Sequence, residues 1–340
     1  MKAELKPRIN LEGRTALETV IPLATPFVLF VDPSSACNFQ CVFCPTGDRA
    51  LIRETGRFQG ALKLELFQKI IDDLHEFDHP LKVLRLYKDG EPLLNKRLPD
   101  MIAYAKASGR VNYIDTTTNG YLLTPKNVEK LIASGLDRIN ISVDGLSDEQ
   151  FWEFTKTKVN FADFVKNIRH LYDVKGDCEI CIKMPGDELS EDEKKYFFDT
   201  FGNYCDRISL ENFAPCWPEF DVEDYTGVTI TEGIYGNEIM DISTCPYIFY
   251  SISVNSDGVV SLCFLDWARK LSVGDLRFQT LKEVWTGEPL YRHQVAHLEG
   301  RRCENETCGG CGQLSHCLPD NIDPYVDDLL KKLRAARPYT

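Results

Sequence analysis

With 340 residues, 43% of them hydrophobic and 27% charged, the chain can bury a large core in one or two domains and carries no low-complexity tract. The formal net charge of -13 argues against a general phosphate-binding surface, and so against nucleic acid as a partner. No stretch approaches the roughly 18 apolar residues of a membrane span, and the polar, basic start of the chain has no apolar run behind it, so neither signal peptide nor anchor is expected and the cytoplasm is the expected compartment.

Short apolar runs alternate with helical periodicities from residue 27 onward. Phe27 to Val31 reads as a strand leading into a cysteine-rich loop. Leu62 to Phe77 places Leu66, Ile70, Ile71 and Leu74 at helical spacing. Strands follow at Val83 to Tyr87, Tyr113 to Thr118, Ile139 to Val143, Glu179 to Lys183 and Arg207 to Leu210. Between them lie helices around Leu98 to Ala107, from Pro125, at Phe161 to Tyr172 and near Asp192 to Phe201. This alternation predicts βαβ units and a parallel sheet, whose reactive groups gather at the carboxyl ends of the strands. The cysteine loop, Asp89-Gly-Glu-Pro92, Asn119-Gly120 and Asp144-Gly145 all fall at such ends, which points to one shared site.

The βα pattern fades after about residue 215. Residues 216–244 are acidic and irregular and read as a connector. Beyond them come short β signals at Ile252 to Val254 and Gly258 to Ser261, a helical piece at Leu281 to Trp285, and a polar helix at Tyr325 to Arg334. The expected organisation is an extension over 1–26, a βα domain over 27–215, the connector, a small metal-stapled module over 245–320 and a tail over 321–340.

Thirteen cysteines stand in two clusters, three near the N-terminus and six between Cys245 and Cys317, with Cys178, Cys181, Cys205 and Cys216 scattered between. Two clusters imply two metal sites rather than disulfides in a chain without a secretory signal. The first, C-N-F-Q-C-V-F-C, places the thiols of Cys37, Cys41 and Cys44 within eight residues. Three thiolates suit an iron–sulfur cubane with one iron left open; zinc would ask for a fourth ligand, and Pro45, Thr46 and Gly47 supply none.

This stretch resembles the C-x3-C-x-Φ-C signature of the radical S-adenosylmethionine (SAM) superfamily, with Phe43 as the aromatic. The resemblance implies a 4Fe-4S cluster on the three cysteines, SAM chelated by the open iron, and reductive cleavage to a 5′-deoxyadenosyl radical that abstracts a substrate hydrogen. It also implies a one-electron donor such as flavodoxin or ferredoxin. Asp89-Gly90-Glu91-Pro92 resembles the family's G-G-E-P stretch, with Gly90 and Glu91 toward the methionyl amino group and Asp89 replacing the first glycine. Thr118-Asn119-Gly120 and Ser142-Val-Asp144-Gly145 are similar to further SAM-binding stretches, with Ser142 toward the ribose and Lys183 toward the methionyl carboxylate. Ser142 and Lys183 read equally well as ordinary polar residues, and Asn119-Gly120 and Asp144-Gly145 as turns.

The second cluster runs Cys245-x17-Cys263-x44-Cys308-x2-Cys311, with Cys303 and Cys317 flanking the final pair, a spacing that by itself fits zinc or iron–sulfur. Its intervening motifs (Asp257-Gly-Val-Val260, Val273-Gly-Asp-Leu276, Glu283-Val-Trp285) resemble the SPASM/twitch extension of radical SAM enzymes. The resemblance implies an α/β fold, a partial (β/α)6 barrel followed by a SPASM/twitch-like iron–sulfur domain. It further implies one auxiliary 4Fe-4S cluster on Cys245, Cys263, Cys308 and Cys311, with Cys303 and Cys317 as alternates.

Cys178, Cys181 and Cys205 read as buried structural thiols, and so does Cys216, whose other reading is return of a hydrogen atom to a substrate radical. Asp266 reads as a proton acceptor in an oxidation or as a structural cap. The expected function is hydrogen abstraction from a small hydroxylated metabolite (a sugar, nucleotide sugar or aminocyclitol), leading to oxidation, epimerisation or dehydration. Peptide maturases of this family often carry an N-terminal leader-recognition domain, and only 36 residues precede Cys37, which favours the small polar substrate. The rival expectations are a peptide- or protein-modifying maturase and a zinc-stapled protein without catalysis.

Overall fold

The computed structural model describes residues 1–9, 12–187 and 189–336. Six parallel strands arise where the alternation places them: β2 (Val28–Val31), β3 (Val83–Arg85), β4 (Ile114–Thr118), β5 (Arg138–Ser142), β6 (Glu179–Pro185) and β7 (Arg207–Glu211), neighbours in sequence order. Helices Leu64–Asp72, Leu98–Ala107, Pro125–Ala133, Phe161–Val174 and Glu191–Phe201 make the crossovers, as parallel pairing requires. Local chemistry sets their starts. Pro125 occupies the first turn of its helix, the Asn160 side chain accepts from Asp163 N–H, and Ser190 with Glu193 forms a capping box. Their apolar faces (Phe67, Ile70, Ile71, Met101, Val128, Phe164, Ile168, Phe197) are buried on the sheet.

The sheet is longer than the βα pattern predicts. A two-residue strand β1 (Glu4–Leu5) pairs with β7, so the N-terminal extension is part of the fold. At the other edge β8 (Ser251–Val254) pairs parallel with β2, in register from Val28–Ser251 to Val31–Val254. Antiparallel β9 (Val259–Ser261) and β10 (Ser272–Asp275) follow. The order β1-β7-β6-β5-β4-β3-β2-β8-β9-β10 leaves β1 and β10 as unpaired ends, so the barrel is partial.

Residues 245–320 are therefore seamed to the barrel rather than hung from it. One apolar core runs from Leu29 and Ile114 through Val260, Val284 and Trp285. Trp285 donates to Leu23 O at 3.0 Å, and the Asp73 carboxylate accepts from Leu281 N–H at 2.8 Å. The C-terminal helix, Val326–Ala335, buries Leu329 and Leu333. Among the described residues no helix is long and apolar enough to cross a membrane.

Candidate active site

β2 delivers the chain into the first thiol loop at the carboxyl edge of the sheet. The loop is held from three sides. Gln40 and Val42 N–H groups donate to Thr155 O and Phe154 O, both at 2.9 Å. Glu91 N–H donates to Ala36 O at 2.9 Å, and Thr46 Oγ1 donates to Asp89 O at 2.6 Å. Backbones approach so closely that a Cβ on Gly47 would lie 2.2 Å from Cys41 O, and one on Gly90 2.2 Å from Ala36 O. The glycine of the Asp89-Gly90-Glu91 segment thus serves contact with the cysteine loop itself. Burial raises all three thiols, Cys37 to about 12, and Cys41 also feels Asp144, Cys44 and Cys37. Three partly exposed thiols on one clamped loop fit a cluster with one corner open, and binding it would release their protons.

The residues expected around SAM surround this loop. Glu91 is fully buried and accepts from Thr118 Oγ1 at 2.7 Å, Asn119 N–H at 2.8 Å and Leu93 N–H at 2.9 Å; burial outweighs these bonds and pushes its carboxyl up to about 7. Asn119 bonds Asn38 Oδ1 at 2.9 Å and reaches Cys37 Sγ at 3.9 Å. Asp144 lies 3.9 Å from Cys41 Sγ, and burial raises its carboxyl to about 6 against the pull of Lys183. Phe43 packs on Phe213 with ring centroids 5.3 Å apart. Phe43, Cys44, Ser142, Asp144 and Lys183 all line one cleft. Lys183 is ion-paired to Glu211 at 2.6 Å.

The second group of thiols faces a smaller cavity. Cys245, Cys263, Cys308 and Cys311 line it together, between Tyr247, Leu265, Leu271 and Arg302. Burial raises these thiols, and Cys263 feels Cys245, Cys311 and Cys308. Four thiols ringing one void fit a fully ligated cluster. Cys303 is exposed, and neither it nor Cys317 lines the cavity. Cys178, Cys181 and Cys205 are buried in the core and remote from both cavities.

Asp266 is placed as the structural cap would be, one of the two readings its sequence position allows. Its carboxylate accepts from Lys270 N–H at 2.9 Å and Leu271 N–H at 3.1 Å, and it borders the smaller cavity instead of the cleft. A carboxylate occupied by two backbone donors ties a turn.

The cleft encloses about 990 Å³, toward the upper end of small-molecule sites. One wall is aromatic: Phe30 stacks on Phe264 at 4.6 Å, with Tyr87 and Tyr247 set edge-on. The rest of the lining is ionic and runs up against these rings, Arg85 lying over Phe30 at 5.6 Å and donating to the Tyr87 hydroxyl at 2.7 Å. Glu211 pairs with Lys183 and, at 3.1 Å, Arg8, and accepts from the Tyr235 hydroxyl at 3.0 Å. Arg85 lies 3.4 Å from Asp115, whose Oδ1 is buried without a partner. Sequence reading missed Arg8, Arg85, Asp115, Glu211 and Tyr235. Glu211 had a signal, a charge at the carboxyl end of a barrel strand; Arg8 and Tyr235 come from segments that carry no pattern.

Comparison with known proteins agrees with this geometry. Residues 31–196 match the model of the radical SAM superfamily, and residues 245–312 that of the SPASM iron-sulfur cluster-binding domain. The chain belongs to the radical SAM enzymes and carries a SPASM domain at its C-terminus. Its cofactors are accordingly 4Fe-4S clusters and SAM. It is 22% identical over 334 residues to the AdoMet-dependent heme synthase of Methanosarcina barkeri, covering 84% of this chain and 91% of that one. It is 31% identical over 129 residues to the GTP 3′,8-cyclase of Chlorobaculum tepidum, covering 36% of this chain and spanning only 34% of the cyclase. Among solved structures, BtrN in complex with AdoMet and 2-DOIA superposes with a TM-score of 0.55 at 17% identity, covering 87% of this chain and 97% of BtrN. Streptococcus suis SuiB bound to the precursor peptide SuiA gives 0.60 at 17% identity over 88% and 73%. These likenesses show a shared fold.

Proposed function

We propose that this radical SAM chain abstracts a hydrogen atom from a carbon of a small hydroxylated metabolite, such as a sugar, nucleotide sugar or aminocyclitol, and so leads to its oxidation, epimerisation or dehydration. The observation that carries the reading is the cleft's mixed lining, aromatic rings interleaved with ion pairs. A sugar-like ring presents an apolar C–H face and a rim of hydroxyls, which the Phe30–Phe264 stack and the ion pairs complement. With SAM and its cluster bound, the 5′-deoxyadenosyl radical supplies the abstraction chemistry.

This chain's residues then position and shield. Phe43 and Phe213 close the cleft beside Cys44 and exclude water. Glu91 and Asn119 anchor the loop to β4, while Ser142, Asp144 and Lys183 offer polar contacts to the cofactor. The unpartnered Oδ1 of Asp115 accepts a substrate hydroxyl. One auxiliary cluster would be held by Cys245, Cys263, Cys308 and Cys311, whose cavity shares Tyr247 with the aromatic wall. Titrating the reduced, cluster-loaded enzyme with sugars, nucleotide sugars, aminocyclitols and a leader-bearing peptide tests the reading. Substrate-dependent 5′-deoxyadenosine formation and a converted product are expected with a member of the first three classes. Conversion of the peptide alone would replace this reading with a maturase, for which the fold shared with peptide-bound SuiB gives precedent.

A further inference from the structure

Cys216 and Cys317 stand 101 residues apart in sequence, yet their sulfurs are 3.8 Å apart and buried. Both line the cleft, and Cys216 also lines the smaller cavity of the four auxiliary thiols. The pair is held from both sides. Cys216 donates to Gln313 Oε1 at 3.3 Å, and Gln313 Nε2 donates to the Tyr247 hydroxyl at 2.9 Å. Cys317 ends the short helix Gln313–His316, its N–H bonded to Gln313 O at 3.1 Å. One glutamine therefore fixes both cysteines at the wall between the two spaces. A separation of 3.8 Å is too long for a disulfide and short enough that a shift of under about 2 Å would make one.

We propose that Cys216 and Cys317 form a redox-active dithiol that quenches a carbon radical in the cleft and closes to a disulfide, passing one electron to the auxiliary cluster. The inference rests on the proposed radical chemistry for its first step only. The Cys216 S–H bond breaks and a C–H bond forms on the carbon radical, leaving a sulfur radical. That sulfur bonds to Cys317, whose proton leaves to cleft water. The one electron in excess goes to the oxidised auxiliary cluster as one-electron acceptor. The sum is one radical plus two thiols giving one C–H bond, one disulfide, one proton and one electron, and an external dithiol restores the pair by exchange. Such a device serves a redox-neutral outcome such as epimerisation, in which the substrate radical must regain hydrogen.

The test uses the full chain with its clusters loaded, equilibrated anaerobically across ratios of reduced to oxidised dithiothreitol, then quenched with acid and N-ethylmaleimide for peptide mass mapping. A Cys216–Cys317 cross-link is expected to rise to the major form at the oxidised end, with iron per chain unchanged. Cys317→Ser should leave Cys216 fully alkylated and keep its iron. In deuterium oxide with SAM and dithionite alone, wild-type 5′-deoxyadenosine should gain deuterium that the Cys216→Ser protein fails to add. Absence of the cross-link at every ratio with iron retained, loss of about four irons in either serine variant, or equal deuterium labelling in the two proteins would each overturn the proposal. None of these readouts depends on the metabolite, so failure to find a sugar-like substrate leaves the dithiol standing or falling by itself.

Discussion

The two thiol groups of this chain are built on opposite plans. Cys37, Cys41 and Cys44 lie within eight residues on a loop clamped by its backbone, and Cys44 opens onto the cleft. Cys245, Cys263, Cys308 and Cys311 are drawn from a span of 67 residues and face a cavity lined also by Tyr247, Leu271 and His297. Local spacing supplies three ligands from one short loop, which the fold then clamps, and three ligands leave one corner of a cubane open. A fourth ligand from far along the chain requires tertiary structure, and the return is a saturated cluster suited to holding electrons and stapling the fold.

Replacing all three loop cysteines by alanine breaks this comparison most directly. Reductive SAM cleavage should vanish while about four irons per chain remain in the module; continued 5′-deoxyadenosine formation would mean the open site is elsewhere. Next in size is Cys263→Ala, which should remove about four irons and loosen residues 245–317. Because β8 is paired with β2, the loss should spread into Val28–Val31 and appear as faster amide exchange there. A module that loses its iron while β2 keeps its protection would show the two regions to be independent.

How much of this was legible in sequence follows from the same contrast. The six barrel strands, their helices and the carboxyl-edge motifs could be read because period-2 and period-3.6 patterning is local. The edges of the sheet could not. β1 is two residues long, and β8 adds to β2 across more than two hundred residues, a pairing no local pattern reports. Thiol identity was readable from spacing, whereas the closeness of Cys216 and Cys317 depends on how the irregular connector folds over the closing C-x2-C segment. Asp266 reads from sequence as a proton acceptor or a cap, and its two backbone donors, which favour the cap, come from a fold that spacing does not report.

Asp89, the departure from the G-G-E-P pattern, joins the two regions. It pairs with Arg57 and, at 2.8 Å, with Lys88, all three side chains being buried. Arg57 lies over the Trp267 ring at 4.3 Å, and Trp267 donates to Thr46 at 2.8 Å, so the network ties the thiol loop to the module. Asp89→Ala leaves two buried cations without their carboxylate and should destabilise the fold by about 3–5 kcal/mol. Urea unfolding with both clusters loaded measures it. A loss below about 1 kcal/mol would show that the nearby buried Asp32 takes over the pairing.

Glu211 sets the smallest of these effects and tests the ionic lining of the cleft at the same edge of the sheet as the thiol loop. Burial by itself would raise its carboxyl, but Lys183, Arg8 and the Tyr235 hydroxyl more than reverse that and hold it at about 2, against an ordinary 4.5. A carboxyl whose folded value lies below its unfolded one stabilises the fold fully above the unfolded value. That contribution drains away as the pH falls from 4.5 toward about 2. The displacement corresponds to about 3 kcal/mol, so Glu211→Gln should lower stability at neutral pH by up to that amount. The gap between the two proteins should narrow through this acid window, which cancels carboxyls common to both. Unfolding midpoints followed from pH 5 down to pH 2 measure the gap, and a constant difference would mean that Glu211 acts by packing rather than by charge. The variant also leaves Lys183 without its carboxylate beside Asp144, so a lowered KM for SAM would show that Glu211 restrains Lys183 from the cofactor, and a raised KM that it positions Lys183 toward it.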